Sequence, residues 1–466
     1  MNIAFYTVKS VAMALTEPLM VALLVLLALL LYRQNRKTIV MQKMILGQGI
    51  DSALELTISQ IVIGIFAGTA ASIILSYLGV VFDENSSVDL IFLLSILLTF
   101  YSPRFICFSY SASLLGIISL ILKKIGDFSG GGTMRLFGYK LELANLDFLA
   151  IDAAAVLALV AVLHFVEAIL VMIDGKRGAI PVFTNRDEKI VGGFALQRYW
   201  VLPVALLVLF RNTGTVGGVT SGIISLSTPG WWPLIINGLP LSIIKAAALV
   251  AIPFYGVIGY HSVTFTKSKS EKSVQSGIYI LIYSMVVMAL SRLATIHYLL
   301  AFIALLAAAF LHEYMLQWQK KREDRGEPLY VSGDDGVMVL EVAPASPAAE
   351  MGIVTGDKLV NINGENIKNE EELMDALHES GRLLTIEVRK LSGDKKSYSN
   401  DHYSPQQRLG VVFVPRLIPK DSMVVNIGDS RFQEVLSKLK NRLQQEGKED
   451  EKDKDSHHNS EDEDKK

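Results

Sequence analysis

GVMVLEVAPASPAAEMGIVTGDKLVNINGENIKNEEELMDAL, residues 336–377, decides how the C-terminal third of this chain folds. VMVLEV (337–342) is a short apolar run rich in valine, which reads as a strand. Ser346 followed by Pro347 predicts the start of a short helix, with serine as cap and proline at the first helical position. Gly352 and Gly356 allow tight backbone turns. KLVNI (358–362) is a second strand, and Asn363-Gly364 is a hairpin-type turn signal. Residues 369–380 predict a helix with Leu373, Ala376 and Leu377 on one face. LLTIEVRK (383–390) and LGVVFV (409–414) are further strands. Together, residues 327–416 read as one small α+β domain.

Outward from this stretch the composition changes. The chain has 466 residues, 51% of them hydrophobic, with a net charge of −2. Residues 1–317 hold repeated apolar runs, several long enough to cross a bilayer, which takes roughly 20 residues in a helix. The expected spans fall near 19–32, 56–82, 90–102, 105–122, 149–173, 198–210, 234–260, 276–291 and 294–315. The runs 90–102 and 105–122, separated by Arg104, read either as two thin spans or as a helical hairpin, so the expected count is eight or nine. Basic flanks at Arg33, Arg36 and Lys37, and QKKRED at 319–324, favour the cytoplasm. The C-terminal domain is therefore expected inside the cell. Eight spans put the N-terminus inside and nine put it outside. The first apolar run lacks a small-residue cleavage site and reads as an uncleaved anchor. The near-neutral charge gives no argument for nucleic acid. One cysteine, Cys107, excludes an internal disulfide and is expected to exclude a cysteine-based zinc site.

After the domain, residues 429–445 (DSRFQEVLSKLKNRLQQ) predict an amphipathic helix with Asp429 as N-cap. Residues 446–466 are almost all polar or charged and predict a disordered tail.

The string S-P-A-A-x-x-G-I-x-x-G-D-K-L-V-x-I-N-G-x-x-I, residues 346–367, resembles PDZ domains of the bacterial, circularly permuted type. The resemblance covers about 90 residues. It implies that a segment of a partner protein docks as an added strand, with backbone bonds supplying affinity and side-chain pockets specificity. On that pattern Arg408, Leu409, Gly410 and Val411 form the loop before the receiving strand, and Val411, Val412 and Phe413 form the strand. Met374 and His378, one helical turn apart, are candidates for the far wall. Leu409 and Val411 can equally well pack the small core. With a single glycine in the loop, both a free C-terminal carboxylate and an internal strand stay open as ligands.

A membrane domain joined to a PDZ domain also describes site-2 intramembrane metalloproteases, which need HExxH. His312-Glu313 begins that motif, but position 316 is Leu316. His164 and Glu167, one turn apart, together with Asp174 and His297, are the remaining metal candidates. Their alternative role is to pair with each other or with other spans and fix helix packing. A transporter is a third class, with Lys245 and Glu167 as intramembrane charges, but no inverted repeat is visible.

The layout of the whole chain resembles the MinJ family of cell-division topological determinants from Gram-positive bacteria. The resemblance rests on Glu17-Pro18-Leu19 after an amphipathic segment, a block of spans, and a C-terminal PDZ domain ending in LGVVFVP. It implies a polytopic α-helical membrane domain followed by a cytoplasmic PDZ domain. It further implies a scaffold at septum and poles that links DivIVA-like to MinD-like proteins, with no enzyme activity and no cofactor.

Overall fold

The computed structural model describes residues 2–416, apart from 48, 85, 87, 130–132, 137–138, 143–150, 188, 211–228, 236–247 and 405–406. Lys245, the expected helix 429–445 and the tail 446–466 lie outside the described residues. Two units are present: residues 1–180 with 194–327, and residues 181–193 with 328 onward.

In the first unit, Asn2 caps a short helix, α1 (Ile3–Ala14), through its side chain on the Ala4 amide. Glu17 caps α2 (Pro18–Leu46), where Pro18 takes the first helical position and loses no backbone bond. Ser52 caps α3 (Ala53–Leu78). A short strand, β1 (Val81–Asp83), leads to α4 (Asp89–Tyr101), a 3-10 turn at Pro103–Ile106 and α5 (Phe108–Ser129). A two-stranded ribbon, β2 (Thr133–Leu136) and β3 (Tyr139–Glu142), precedes α6 (Ala153–Asp174). After β4 (Ile180–Arg186), which belongs to the second unit from Pro181 on, the first unit resumes at Phe194 within β5 (Lys189–Phe210) and continues with β6 (Ala248–Thr264), α7 (Lys269–Ala294) and α8 (Tyr298–Arg325).

Among the described residues six helices are long and apolar enough to cross a membrane: α2, α3, α5, α6, α7 and α8. The expected run at 90–102 becomes α4, whose 13 residues reach about 20 Å and fall short of a bilayer core. The larger difference lies at 198–210 and 234–260. Residues 198–210 and 248–260 are strands rather than spans. β5 and β6 pair antiparallel from Phe194↔Thr264 to Phe210↔Ala248, and β1 adds a parallel strand on β5 with Phe82 opposite Val208. The cause is burial. Trp200 to Leu209 are all buried, and a strand covered on both faces needs a continuous apolar run, which hydropathy alone cannot tell from a helix. Helix α3 lies close on this strand because Gly64 and Gly68 have no side chain. A Cβ at either would collide with the carbonyl of Val201 or Pro203.

Helix α6 is the most buried of the long helices, and α7 packs along it. Gly277, Ser284 and Ser291, spaced by seven, face α6: Ser284 and Ser291 donate to the carbonyls of Ala161 and Ala154, both at 2.9 Å, and Gly277 meets Met172. Small and hydroxyl side chains suit helix contacts in lipid, where apolar burial gives little drive.

The second unit contains β7 (Val337–Val342), α9 (Pro347–Met351), β8 (Lys358–Ile362), β9 (Glu365–Asn366), α10 (Glu370–Glu379), β10 (Leu384–Arg389), β11 (Lys395–Asn400) and β12 (Val411–Phe413). The sheet order is β11-β10-β8-β7-β12, with β9 on β8. Ser346 caps α9 and Gly352 ends it at φ 86°. Asn363 and Gly364 have φ of 50° and 94°, the pair of positive values that a tight hairpin requires. Val339, Leu359, Ile362, Leu373, Leu377 and Ile386 form the centre of the core. The opposite face of β7 is covered by chain from far upstream. The Gly192 amide donates to Tyr330 at 2.9 Å, and a Cβ on Gly192 would strike Val414 and Leu340. The α+β unit thus includes residues 181–193 in addition to those expected from sequence.

Candidate functional site

Residues 408–413 form an exposed arginine, a turn and the edge strand β12. Gly410 sits at φ 77°, where a side chain is disfavoured, and a Cβ there would collide with Ser346. The turn is held by its backbone. The Ala343 amide donates to the Gly410 carbonyl at 2.8 Å, and the Ala348 amide to the Leu409 carbonyl at 3.2 Å. β12 then pairs antiparallel with β7, Val411 opposite Val342 and Val412 opposite Glu341. One edge of β12 is used in this way, and among the described residues the strand ends the sheet.

Leu409 is buried in the core, while Val411 and Phe413 are half-buried and pack against it. Val412, on the alternate face, is buried as well. Helix α10 contributes Leu373, Ala376 and Leu377 to the same core. Met374 and His378 stay exposed on it. The eight residues singled out from sequence therefore fall on one turn-and-strand and one helix that share a core. Leu409 serves the core with its side chain and the turn with its carbonyl. Near the start of α10, burial raises the Glu370 carboxyl above its ordinary range.

A second constellation lies in the membrane unit, and only part of it was apparent from sequence. His164 on α6 comes within 3.0 Å of the Cys107 sulfur, measured from Nε2. His312 on α8 places its Nε2 3.4 Å from the same sulfur. The three donor atoms lie within 4.8 Å of one another. Both histidines are buried. Glu167 approaches His164 Nε2 at 3.8 Å. The expectation that a single cysteine excludes a cysteine-based zinc site does not allow for this arrangement, in which the fold sets two imidazoles beside the Cys107 sulfur. The other metal candidates go elsewhere. Asp174 accepts from Arg198 Nε at 2.9 Å and from Trp200 Nε1 at 3.0 Å, and His297 caps α8 on the Leu299 amide.

These features define a class: a multi-pass membrane protein that carries a PDZ domain. Residues 338–390 match the PDZ domain family. The chain is similar to the cell division topological determinant MinJ of Bacillus subtilis (strain 168), with 28% identity over 117 residues, 24% of this chain and 28% of the relative. It is also similar to the probable cell division topological determinant MinJ of Lacticaseibacillus paracasei, with 29% identity over 83 residues, 18% of this chain and 23% of the relative. A putative serine protease, HhoB of Synechocystis sp., is 32% identical over 74 residues, 15% of this chain and 18% of the relative. The matched stretches thus span less than a third of each relative's length. No solved structure matches the chain.

Proposed function

We propose that this protein is a membrane-anchored adaptor that binds peptide segments of partner proteins at the outer edge of β12. One observation carries the reading: β12 follows a glycine turn at positive φ and ends its sheet, with the exposed face of α10 contributed by the same small domain. A partner segment adds as a strand to Val411–Phe413. Arg408 and Gly410 form the entry, and Met374 and His378 form the far wall. The basic run Lys320-Lys321-Arg322 at the end of α8 supports a cytoplasmic position for the domain. Anchoring confines the groove near other membrane-bound proteins and raises its effective concentration, so modest affinity suffices. The similarity to MinJ supports a role in division-site selection at septum and poles, joining a DivIVA-like protein to a MinD-like one. No enzymatic activity belongs to this reading.

The alternative, an intramembrane metalloprotease of the site-2 type, has less support. That chemistry places two histidines one turn apart on one helix with a glutamate between them. Here His164 and His312 come from different helices, and a thiol stands between them.

The test is an in-cell crosslinking pull-down comparing wild type with Gly410→Asp and with Met374→Glu/His378→Glu. The first variant blocks the turn; the second changes only exposed side chains. Loss of the same partners from both is the expected result. An unchanged partner set in both would sink the groove assignment.

A further inference from the structure

We propose that Cys107, His164 and His312 form a metal site of the zinc type where the start of α5 meets α6 and α8. The donors come from three separate stretches of chain and converge on one point. Zinc bonds of about 2.0–2.3 Å in a tetrahedron separate ligand atoms by about 3.3–3.8 Å. The separations of His164 Nε2 and His312 Nε2 from the Cys107 sulfur are 3.0 and 3.4 Å. The donor atoms of Cys107, His164 and His312 all lie within 4.8 Å of one another, so modest side-chain shifts bring these three to one ion.

The hydrogen bonds around the two imidazoles decide which nitrogens face the sulfur. His164 Nδ1 lies 2.7 Å from the Val160 carbonyl, which only accepts. That nitrogen therefore carries the proton, and the lone pair is on Nε2. His312 Nδ1 lies 3.1 Å from the Tyr110 hydroxyl, and that hydroxyl donates to Glu313 Oε2 at 2.9 Å. The tyrosine has spent its proton on the carboxylate, so it accepts from His312 Nδ1–H. Again the lone pair is on Nε2. Two imidazole lone pairs thus face one sulfur. Paired acceptor nitrogens beside a thiol are the donor arrangement that a zinc-type ion takes. Outward Nδ1–H bonds to a carbonyl or to a carboxylate relay are how metal-bound histidines are oriented.

Charge points the same way. Ionised Cys107 as ligand and ionised Glu167 as a neighbouring charge, its Oε2 3.8 Å from His164 Nε2, together balance a divalent ion to zero, which suits a site at mid-length on two membrane-spanning helices. Binding exchanges the thiol proton for the metal: the S–H bond breaks, the metal–sulfur bond forms, and the proton leaves to solvent. With three protein ligands, the site leaves its fourth tetrahedral position to water. It ties the start of α5 to α6 and α8, where apolar contact in lipid provides little adhesion.

The experiment uses the full chain in detergent, stripped with chelator, checked for a single size-exclusion peak, and reloaded with Co²⁺ or Zn²⁺ alone. Wild type is expected to bind about one ion per chain and to show a thiolate-to-cobalt charge-transfer band. Cys107→Ser removes the band, and His164→Ala or His312→Ala removes binding. Tyr110→Phe, which touches only the relay, weakens binding about tenfold or more. His297→Ala leaves all of this unchanged. If a ligand variant does not fold, the stripped and reloaded wild type still decides. A wild type that gives a single peak but no cobalt band overturns the proposal, and so does a band that survives in Cys107→Ser.

Discussion

The hydrophobic cluster of the PDZ unit is aliphatic at Val339, Leu359, Ile362, Leu373 and Ile386, and among the described residues of that unit the buried charges are two carboxylates, Glu341 and Asp357. The interior of the membrane unit holds Asp174, Arg198, Lys272, Glu323, His164 and His312. The difference follows from solvent. In water, removing apolar surface drives folding, and a small domain spends its interior on it. In lipid the unfolded helices are already in an apolar medium, so the contacts that select one arrangement are polar. Arg198 reaches Asp174 and also Ser59 at 3.1 Å, tying β5 to α6 and α3. Lys272 meets Glu323 at 3.0 Å, and the other carboxylate oxygen of Glu323 accepts the amides of Phe265 and Thr266, fixing the exit of β6.

The largest expected effect tests that contrast directly. Asp174→Asn leaves the Arg198 guanidinium buried without its counter-charge, which costs about 3–5 kcal/mol. Melting of the full chain in detergent, followed by size exclusion, should show a large drop in folded protein. The double change Asp174→Asn/Arg198→Met should recover part of the loss. If the single variant melts like wild type, the polar interior is not what selects the membrane fold. The counterpart in the PDZ unit is Ile386→Ala, a core truncation worth about 2–5 kcal/mol. Hydrogen exchange should show faster exchange at β7, β8 and β10 amides, with α6 and α7 unchanged.

A smaller effect is expected at the turn and cap beside the groove. Gly410→Ala forces a side chain into the left-handed region and against Ser346, at about 1–3 kcal/mol. Ser346→Ala removes the cap of α9, at about 1 kcal/mol. Exchange at the Ala348 and Ala349 amides reads both.

The two units also differed in how far they could be read from sequence. In the PDZ unit each element carries its own punctuation: Ser346-Pro347 opens α9, Gly352 closes it, and Asn363-Gly364 turns β8 into β9. Such signals act over three or four residues and survive any tertiary context. The covering of β7 by Gly192 was invisible, because nothing local to 189–193 refers to residues 330–340. In the membrane unit the apolar runs marked α2, α3, α5, α6, α7 and α8 by length. The same reading misassigned 198–210, because a doubly buried strand and a helix share one composition. For the thiol–imidazole cluster, a one-turn pair on α6 showed His164 and Glu167. Cys107 stands 57 positions from His164 and 205 from His312, and only the helix packing brings them together.

The smallest expected effect separates charges in water from charges in the interior. Lys358 donates to the Asp335 carboxylate at 2.8 Å and Arg389 at 2.7 Å, which holds that carboxyl below its ordinary range. A carboxylate with a lowered folded pKa stabilises above its unfolded pKa, about 4. The contribution is lost as pH falls through the lower folded value. Asp335 is 45% exposed, so the pair is screened and worth about 0.5 kcal/mol or less. Asp335→Asn should therefore differ slightly from wild type at neutral pH in the exchange of the β8 and β10 amides. The difference should vanish in strong acid, and it should also shrink when salt is raised. Arg198 and Asp174 are 1% and 6% exposed, beyond the reach of mobile ions, and the effect of Asp174→Asn should not respond to salt. Equal salt sensitivity at the two sites would mean that water reaches Arg198, and the contrast between the two interiors would fail at that point.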